Sequence, residues 1–174
     1  WFHGWTFNGR HNFAGGLWRR GNSWVTIAIP ELIAILGDDC GPVIRRLLTE
    51  TLLNQVEALK TYQADNGMWH TLIDDSDSYL ETSATTGFAY GILKAAHMGL
   101  IDESFAECGM KPLGAVMDYI SEDGVVGQVS YGTPMGREEK QFYKDIEIRP
   151  MPYGQAMAIL YLIEAGKELT REVK

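Results

Sequence analysis

The densest group of chemically versatile side chains lies at the start of the chain, in WFHGWTFNGRHNFAGGLWRRGNSW. Residues 1–30 hold four of the five Trp, two of the four His, three Arg and five Gly. Trp rings with N–H donors, set in Gly-rich loops, suit the C–H faces and hydroxyls of sugars. Arg20 offers a bidentate contact to a carboxylate, and a helix beginning near Asn22 would add positive potential. The segment therefore predicts a site for an anionic sugar. The alternative, that these Trp residues are core and Arg10, Arg19 and Arg20 cover the surface, stays open at this point.

A second group is acidic, in IDDSDSYLETS at residues 73–83. Asp74, Asp75, Asp77 and Glu81 allow acid/base chemistry by paired carboxylates. Acids and Ser also stabilise the start of a helix, and this capping role is the interpretation we favour.

The remaining motifs indicate no metal and no cofactor. The four histidines, His3, His11, His70 and His97, lack the spacing of metal ligands. GQVSYGTPMG lacks the Lys of a phosphate-binding loop, and no Ser lies in a nucleophile elbow.

The charge and hydropathy of the sequence argue against nucleic acid as a partner and against a membrane-spanning segment. The net charge is −8 and the pI about 4.9, which argues against nucleic acid because phosphate contacts need Lys and Arg. No apolar run reaches the roughly 20 residues that span a membrane. Cys40 and Cys108 are too few for a disulfide framework, which favours a reducing compartment.

The pattern of apolar residues predicts that helical hairpins position these groups. Helices that are apolar nearly all round are predicted from about Asn22, Glu81 and Tyr153, and Pro30 should kink or end the first of them. Amphipathic helices are predicted between them, at 43–63 and 105–120. Inner apolar helices alternating with outer amphipathic ones indicate an all-α toroid of stacked hairpins. Each inner helix follows a long loop, so the loops 1–21, 64–80 and 124–152 should share one end, where a site would form.

Several motifs together resemble one known family. They are HGW (3–5), LWRRGNSW (17–24), YQADNGMWHTLIDDSDSYLETSAT (62–85), FAYGILKA (88–95), EDGVVGQVSYGT (122–133) and RPMPYGQAMAIL (149–160). The chain resembles the unsaturated rhamnogalacturonyl hydrolases of glycoside hydrolase family 105, which are related to the unsaturated glucuronyl hydrolases of family 88. The resemblance implies an (α/α)6 toroid of six hairpins. Residues 1–174 would form the C-terminal half of that single domain, about three of the six hairpins.

The resemblance also implies a chemistry. The substrate carries a C4=C5 double bond in a uronic acid at its non-reducing end. An Asp protonates this vinyl ether, a water activated by the same Asp adds at C5, and the hemiketal collapses to release the rest of the sugar. The expected setting is pectin degradation in the cytoplasm.

Site residues follow by position within the matching motifs. His3 matches the histidine of HGW, and Trp18, Arg20 and Trp24 match a W-x-R-x-x-x-W pattern that stacks on the sugar and binds its polar groups. Tyr131 and Tyr153 fall in loops on the same face. The acid/base Asp of the family lies upstream of HGW, so no catalytic residue is expected in this chain.

The expected partners are an unsaturated uronyl oligosaccharide and the N-terminal half of the toroid. The alternative is a non-catalytic carbohydrate-binding or structural piece of a helical toroid. A sugar epimerase is disfavoured, because such sites use a pair of catalytic histidines that is not evident here.

Overall fold

The computed structural model describes residues 1–171, and within them the secondary structure is helical with no strand. Isolated bridges join the loops, including Trp18 to Leu72 and Ser130 to Ile148. Short 3-10 turns cover Gly37–Asp39 and Glu103–Phe105. The helices are α1 (Arg19–Leu36), α2 (Pro42–Thr61), α3 (Thr82–His97), α4 (Ala106–Met110), α5 (Leu113–Met117), α6 (Gln141–Lys144) and α7 (Pro152–Arg171).

Helix α3 is the centre of the fold and packs against α1 on one side and α7 on the other. It is buried over almost its whole length, as the sequence predicts. Glycines on α3 permit the close approach of α1 and α7 to it. A Cβ at Gly91 would lie 2.3 Å from the carbonyl oxygen of Thr26, and a Cβ at Gly87 would lie 2.4 Å from the Met157 methyl group. The three predicted inner helices are therefore confirmed as one packed row.

We expect Gly91→Ala to destabilise the fold by about 1–3 kcal/mol, because its methyl group meets the rigid backbone of α1. The matched control is Gly166→Ala on α7, where a new Cβ has open space. This variant should gain about 0.5–1 kcal/mol of helix propensity. Urea unfolding of both variants measures the difference. Equal effects of the two substitutions would contradict the packing described.

The two flanking inner helices carry apolar stripes that face outward. On α1 the stripe is Trp24, Ala28, Leu32 and Ile35, and on α7 it is Ala156, Ile159, Leu160 and Ile163. The helix α1, although apolar nearly all round, is therefore not covered on this face. The reason is geometric, since each end helix of this row has an inner-helix neighbour on one side only.

One further expectation needs correction, and two residues of α1 and α2 add detail. The helix predicted at 105–120 is broken into α4 and α5 around Pro112, which cannot continue the hydrogen-bond ladder. Pro30 lies inside α1, which runs on to Leu36, so of the two expectations for this residue the helix end is excluded. Gln55, in the amphipathic helix α2, is buried and donates to Asn22 O at 2.8 Å and to Thr26 Oγ1 at 2.7 Å.

No helix in the part of the chain that the structure describes has the length and hydropathy needed to cross a membrane.

Candidate functional site

Arg20 is the hub of a buried cluster at the loop end of the inner helices. It lies in the first turn of α1 and is only 4% exposed. Its Nη1 donates to the carbonyl oxygen of Ser130 at 2.5 Å, to the Ser130 hydroxyl at 2.9 Å and to the Tyr153 hydroxyl at 3.0 Å. Its Nη2 donates to Tyr131 O and Thr133 Oγ1, both at 2.9 Å. All these acceptors are neutral. Within residues 1–171 no carboxylate pairs with this guanidinium, so its charge is buried without a counter-ion.

Aromatic rings surround the guanidinium. Its carbon lies 4.5 Å from the centre of the Tyr153 ring and 5.1 Å from that of Trp18, both cation–π distances. The His3 ring lies 4.2 Å from Trp18. His3 Nδ1 is hydrogen-bonded to the Tyr143 hydroxyl at 2.8 Å, and that hydroxyl also accepts from the Gly136 backbone N–H at 2.9 Å. Loops 1–18 and 130–143 are thereby joined to the start of α1.

The environment of His3 favours its neutral form. Burial lowers the pKa of His3 below its ordinary value of 6.5, and the nearby positive charge of Arg20 lowers the pKa further. At neutral pH the ring therefore acts as an uncharged donor or acceptor of hydrogen bonds.

We expect the His3 imidazole to titrate below pH 6.5 in an NMR experiment on selectively labelled protein. The unfolded chain takes up this proton near the ordinary value, whereas the folded chain resists it. Stability should therefore fall as the pH drops through the region below about 6.5. A midpoint at or above the ordinary value would contradict the burial of His3 beside a cation.

A buried ion pair between Arg19 and Glu81 lies next to the Arg20 cluster. Arg19 Nη2 lies 2.8 Å from Glu81 Oε2, and the two side chains are 1% and 0% exposed. Glu81 also accepts from the backbone N–H of Ala84 at 3.0 Å, which caps α3, and from that of Ser130 at 3.0 Å. A second N–H of Arg19 donates to Trp69 O. The pair therefore joins α1, α3 and the loop that holds Arg20.

The capping role predicted for the acidic group is confirmed for Glu81 and wrong for the aspartates. Asp74 Oδ2 lies 3.1 Å from Lys140 Nζ, and Asp75 Oδ2 lies 2.7 Å from Lys144 Nζ. These contacts fasten the loop before α3 to the segment around α6. None of the aspartates caps α3, because the loop carries them across to that segment.

Tyr131 and Trp24, two further predicted site residues, are both solvent-exposed but differ in their contacts with the cluster. Tyr131 supplies its carbonyl oxygen to Arg20, while its ring is 42% exposed and lies beneath Arg149. Trp24 is 47% exposed on the outward stripe of α1. Among residues 1–171 it makes none of the ring contacts that join the cluster. The structure thus brings His3, Trp18, Arg20, Tyr131 and Tyr153 together and places Trp24 apart from them.

A cavity of about 140 Å³ opens beside this cluster. Its wall includes Trp1, Phe2, His3, Trp18, Gly21 and Val25. Gly21 leaves room for the Trp18 ring, because an added Cβ would lie 3.1 Å from that ring, a tight contact. The described residues contain no group of three His, Cys, Asp or Glu side chains that could hold a metal ion.

Several members of the site escaped prediction from the sequence. Ser130 and Thr133 flank Tyr131 in SYGT, a motif that pointed to the loop but not to Arg20. Tyr143 lies in a stretch assigned as a charged loop, although it is 1% exposed in α6. The available signal was the aromatic pair Phe142 and Tyr143 within a charged stretch.

Stacked helical hairpins with a polar and aromatic cluster on the loops at one end define half of an (α/α) toroid of the glycoside hydrolase type. The chain belongs to glycosyl hydrolase family 88, whose family model matches residues 1–169.

Named relatives support the same assignment. The chain is 28% identical to the unsaturated rhamnogalacturonyl hydrolase YesR of Bacillus subtilis over 170 residues, which is 98% of this chain and 47% of YesR. It is 46% identical to a possible member of the GH105 family from Salmonella enterica, with a TM-score of 0.91 over 97% of this chain and 44% of that one. A possible GH105 member from Klebsiella pneumoniae gives 47% and 0.90 over the same shares. The resemblance to families 105 and 88 is confirmed, and the chain spans about half the length of these relatives.

Proposed function

We propose that the protein containing this chain hydrolyses unsaturated rhamnogalacturonan oligosaccharides by hydrating the C4=C5 bond of the terminal unsaturated galacturonyl residue. The observation that carries the proposal is the buried guanidinium of Arg20. It is ringed by Trp18 and Tyr153 and has no carboxylate partner in the described chain. Such a positive centre in a low-dielectric, aromatic-walled site favours an anionic sugar.

In this proposal the chain binds and orients the uronate. Trp18 and the neutral ring of His3 form the apolar wall, and the field of Arg20 attracts the carboxylate. An Asp expected outside residues 1–174 donates the proton to C4 and activates the water that adds at C5. The resulting hemiketal opens and releases the rhamnose-containing product.

The proposal includes further helical hairpins as the structural partner. They would cover the outward apolar stripes of α1 and α7, and the relatives, which are about twice as long, have the length to supply them. The cytoplasm is the proposed compartment, and the free buried thiols Cys40 and Cys108 fit a reducing one.

A non-catalytic carbohydrate-binding role is the second candidate. The observation that favours it is that the carboxylate closest to the cluster, Glu81, is committed to Arg19 and to two backbone N–H groups. It is therefore not free to act as an acid or base.

Product analysis separates the two. The complete polypeptide that contains this chain is incubated with unsaturated galacturonyl-rhamnose and, in parallel, with saturated galacturonyl-rhamnose. Release of rhamnose from the unsaturated sugar alone supports the proposal. Release from both would indicate direct glycosidic cleavage. Binding by calorimetry without release would favour the non-catalytic role.

A further inference from the structure

Arg20, His3 and Arg149 are three groups in or beside the cluster that could contact a sugar carboxylate directly. The hydrogen bonds of Arg20 and the neutral form of His3 make the first two less suited to that contact. Both terminal nitrogens of Arg20 are directed at oxygens of Ser130, Tyr131, Thr133 and Tyr153. The sequence predicts that Arg20 contacts a carboxylate in bidentate fashion, but the Nη1 and Nη2 atoms that would make this contact already donate to protein oxygens. His3 has a lowered pKa and is uncharged at neutral pH.

Arg149 is the third group, and its guanidinium is available. Its carbon lies 3.9 Å from the centre of the Tyr131 ring, so the cation rests over the face of an aromatic ring. The side chain is 44% exposed, and its one ion pair in the described chain is a long contact of 3.8 Å to Glu147. No hydrogen bond from this guanidinium to another residue is seen within residues 1–171.

The backbone around Arg149 fixes it against the cluster. Its N–H donates to Val129 O at 2.8 Å, and the Tyr131 N–H donates to Glu147 O at 2.8 Å. Segments 129–131 and 147–149 thus run side by side, with Ser130 bridged to Ile148. Tyr153, which contacts Arg20, lies close enough to Arg149 to feel its charge. Arg149 therefore lies next to the segment whose oxygens hold Arg20.

We propose that Arg149, supported by the ring of Tyr131, is the residue that binds the substrate's carboxylate directly and makes the site selective for acidic over neutral sugars. This rests on the proposed function and refines it. Arg20 supplies the buried charge and holds the loop, while Arg149 supplies free N–H donors in a planar fork that matches a carboxylate.

The test compares two ligands on three proteins. Calorimetry measures the affinity of the complete polypeptide for saturated galacturonyl-rhamnose, which the proposed hydration does not consume, and for its methyl ester, which lacks the charge. We expect the wild-type protein to prefer the acid by about ten-fold or more. Arg149→Gln should reduce this preference to about two-fold while leaving the affinity for the ester unchanged.

Arg137→Gln is the matched control, because Arg137 is also exposed and lies over an aromatic ring, 5.9 Å from the centre of Phe13. It should keep the full preference for the acid. Tyr131→Leu keeps the carbonyl that holds Arg20 but removes the ring beneath Arg149, and should lower the preference partly. Thermal unfolding verifies that each variant is folded.

The outcomes separate this inference from the proposed function. A wild-type protein that binds acid and ester equally overturns the anionic site as a whole. A wild-type preference that persists in Arg149→Gln overturns the role of Arg149 alone. Loss of the preference in Arg137→Gln but not in Arg149→Gln would assign the contact to the other arginine and overturn the inference too.

Discussion

Replacing Arg20 with Gln is expected to lower kcat/KM for unsaturated galacturonyl-rhamnose by about 100-fold, equivalent to ~2.7 kcal/mol of transition-state stabilisation. The substitution removes the buried charge and deprives the acceptors on Ser130 and Tyr131 of their donors. The loop that carries Tyr131 and Thr133 then loses its anchor on α1. Steady-state kinetics of the complete polypeptide measure the effect.

Arg20→Lys is the control that separates charge from geometry. An ammonium group keeps the charge but cannot reach the oxygens of four residues that the planar guanidinium contacts. We therefore expect Lys to rescue little of the activity. Wild-type kcat/KM in Arg20→Lys would show that charge alone matters, and wild-type kcat/KM in Arg20→Gln would contradict the role of Arg20 altogether.

Glu81→Ala is expected to destabilise the fold by about 3–5 kcal/mol, because it leaves the Arg19 charge buried and unpaired. Burial lowers the pKa of Arg19 to about 10 while Glu81 opposes that shift, so the guanidinium stays charged at neutral pH. The same substitution removes the cap of α3 at Ala84. Thermal unfolding should show a midpoint lower by roughly 10 °C.

A double-mutant cycle isolates the pair itself. Glu81→Gln keeps the shape of the side chain and an oxygen for the Ala84 N–H but removes the negative charge. Adding Arg19→Gln removes the unpaired cation, so the double variant should be less destabilised than the sum of the single variants. Additivity within about 0.5 kcal/mol would show that the two charges do not interact.

The inner helices were predictable because their signals are local and redundant. α3 combines a continuous apolar sequence with small residues, and its burial follows directly. The break in the helix at 105–120 was missed because a count of apolar periodicity does not register Pro112, although the proline itself is a signal in the sequence. The outward stripes of α1 and α7 look like core in sequence, because apolar residues carry no mark of which neighbour covers them.

The site was predicted in outline and missed in detail. The aromatic residues of the first loop and Arg20 stood out by type and crowding. What the sequence does not reveal is how the hydrogen bonds are distributed. The terminal nitrogens of Arg20 donate to acceptors more than a hundred residues away, at Ser130 and Tyr131, whereas Arg149 lies over the Tyr131 ring without a hydrogen bond from its guanidinium in the described chain. Such an allocation depends on tertiary distances that no local pattern encodes.

The most direct test of the account is the ultraviolet absorbance of the C4=C5 bond. The complete polypeptide that contains this chain is mixed with unsaturated galacturonyl-rhamnose, and the absorbance is followed with time. We predict that it disappears as rhamnose is released, and that it disappears far more slowly with Arg20→Gln. Absorbance that persists while rhamnose is released, or that persists with no release at all, would contradict the hydration reaction proposed for this site.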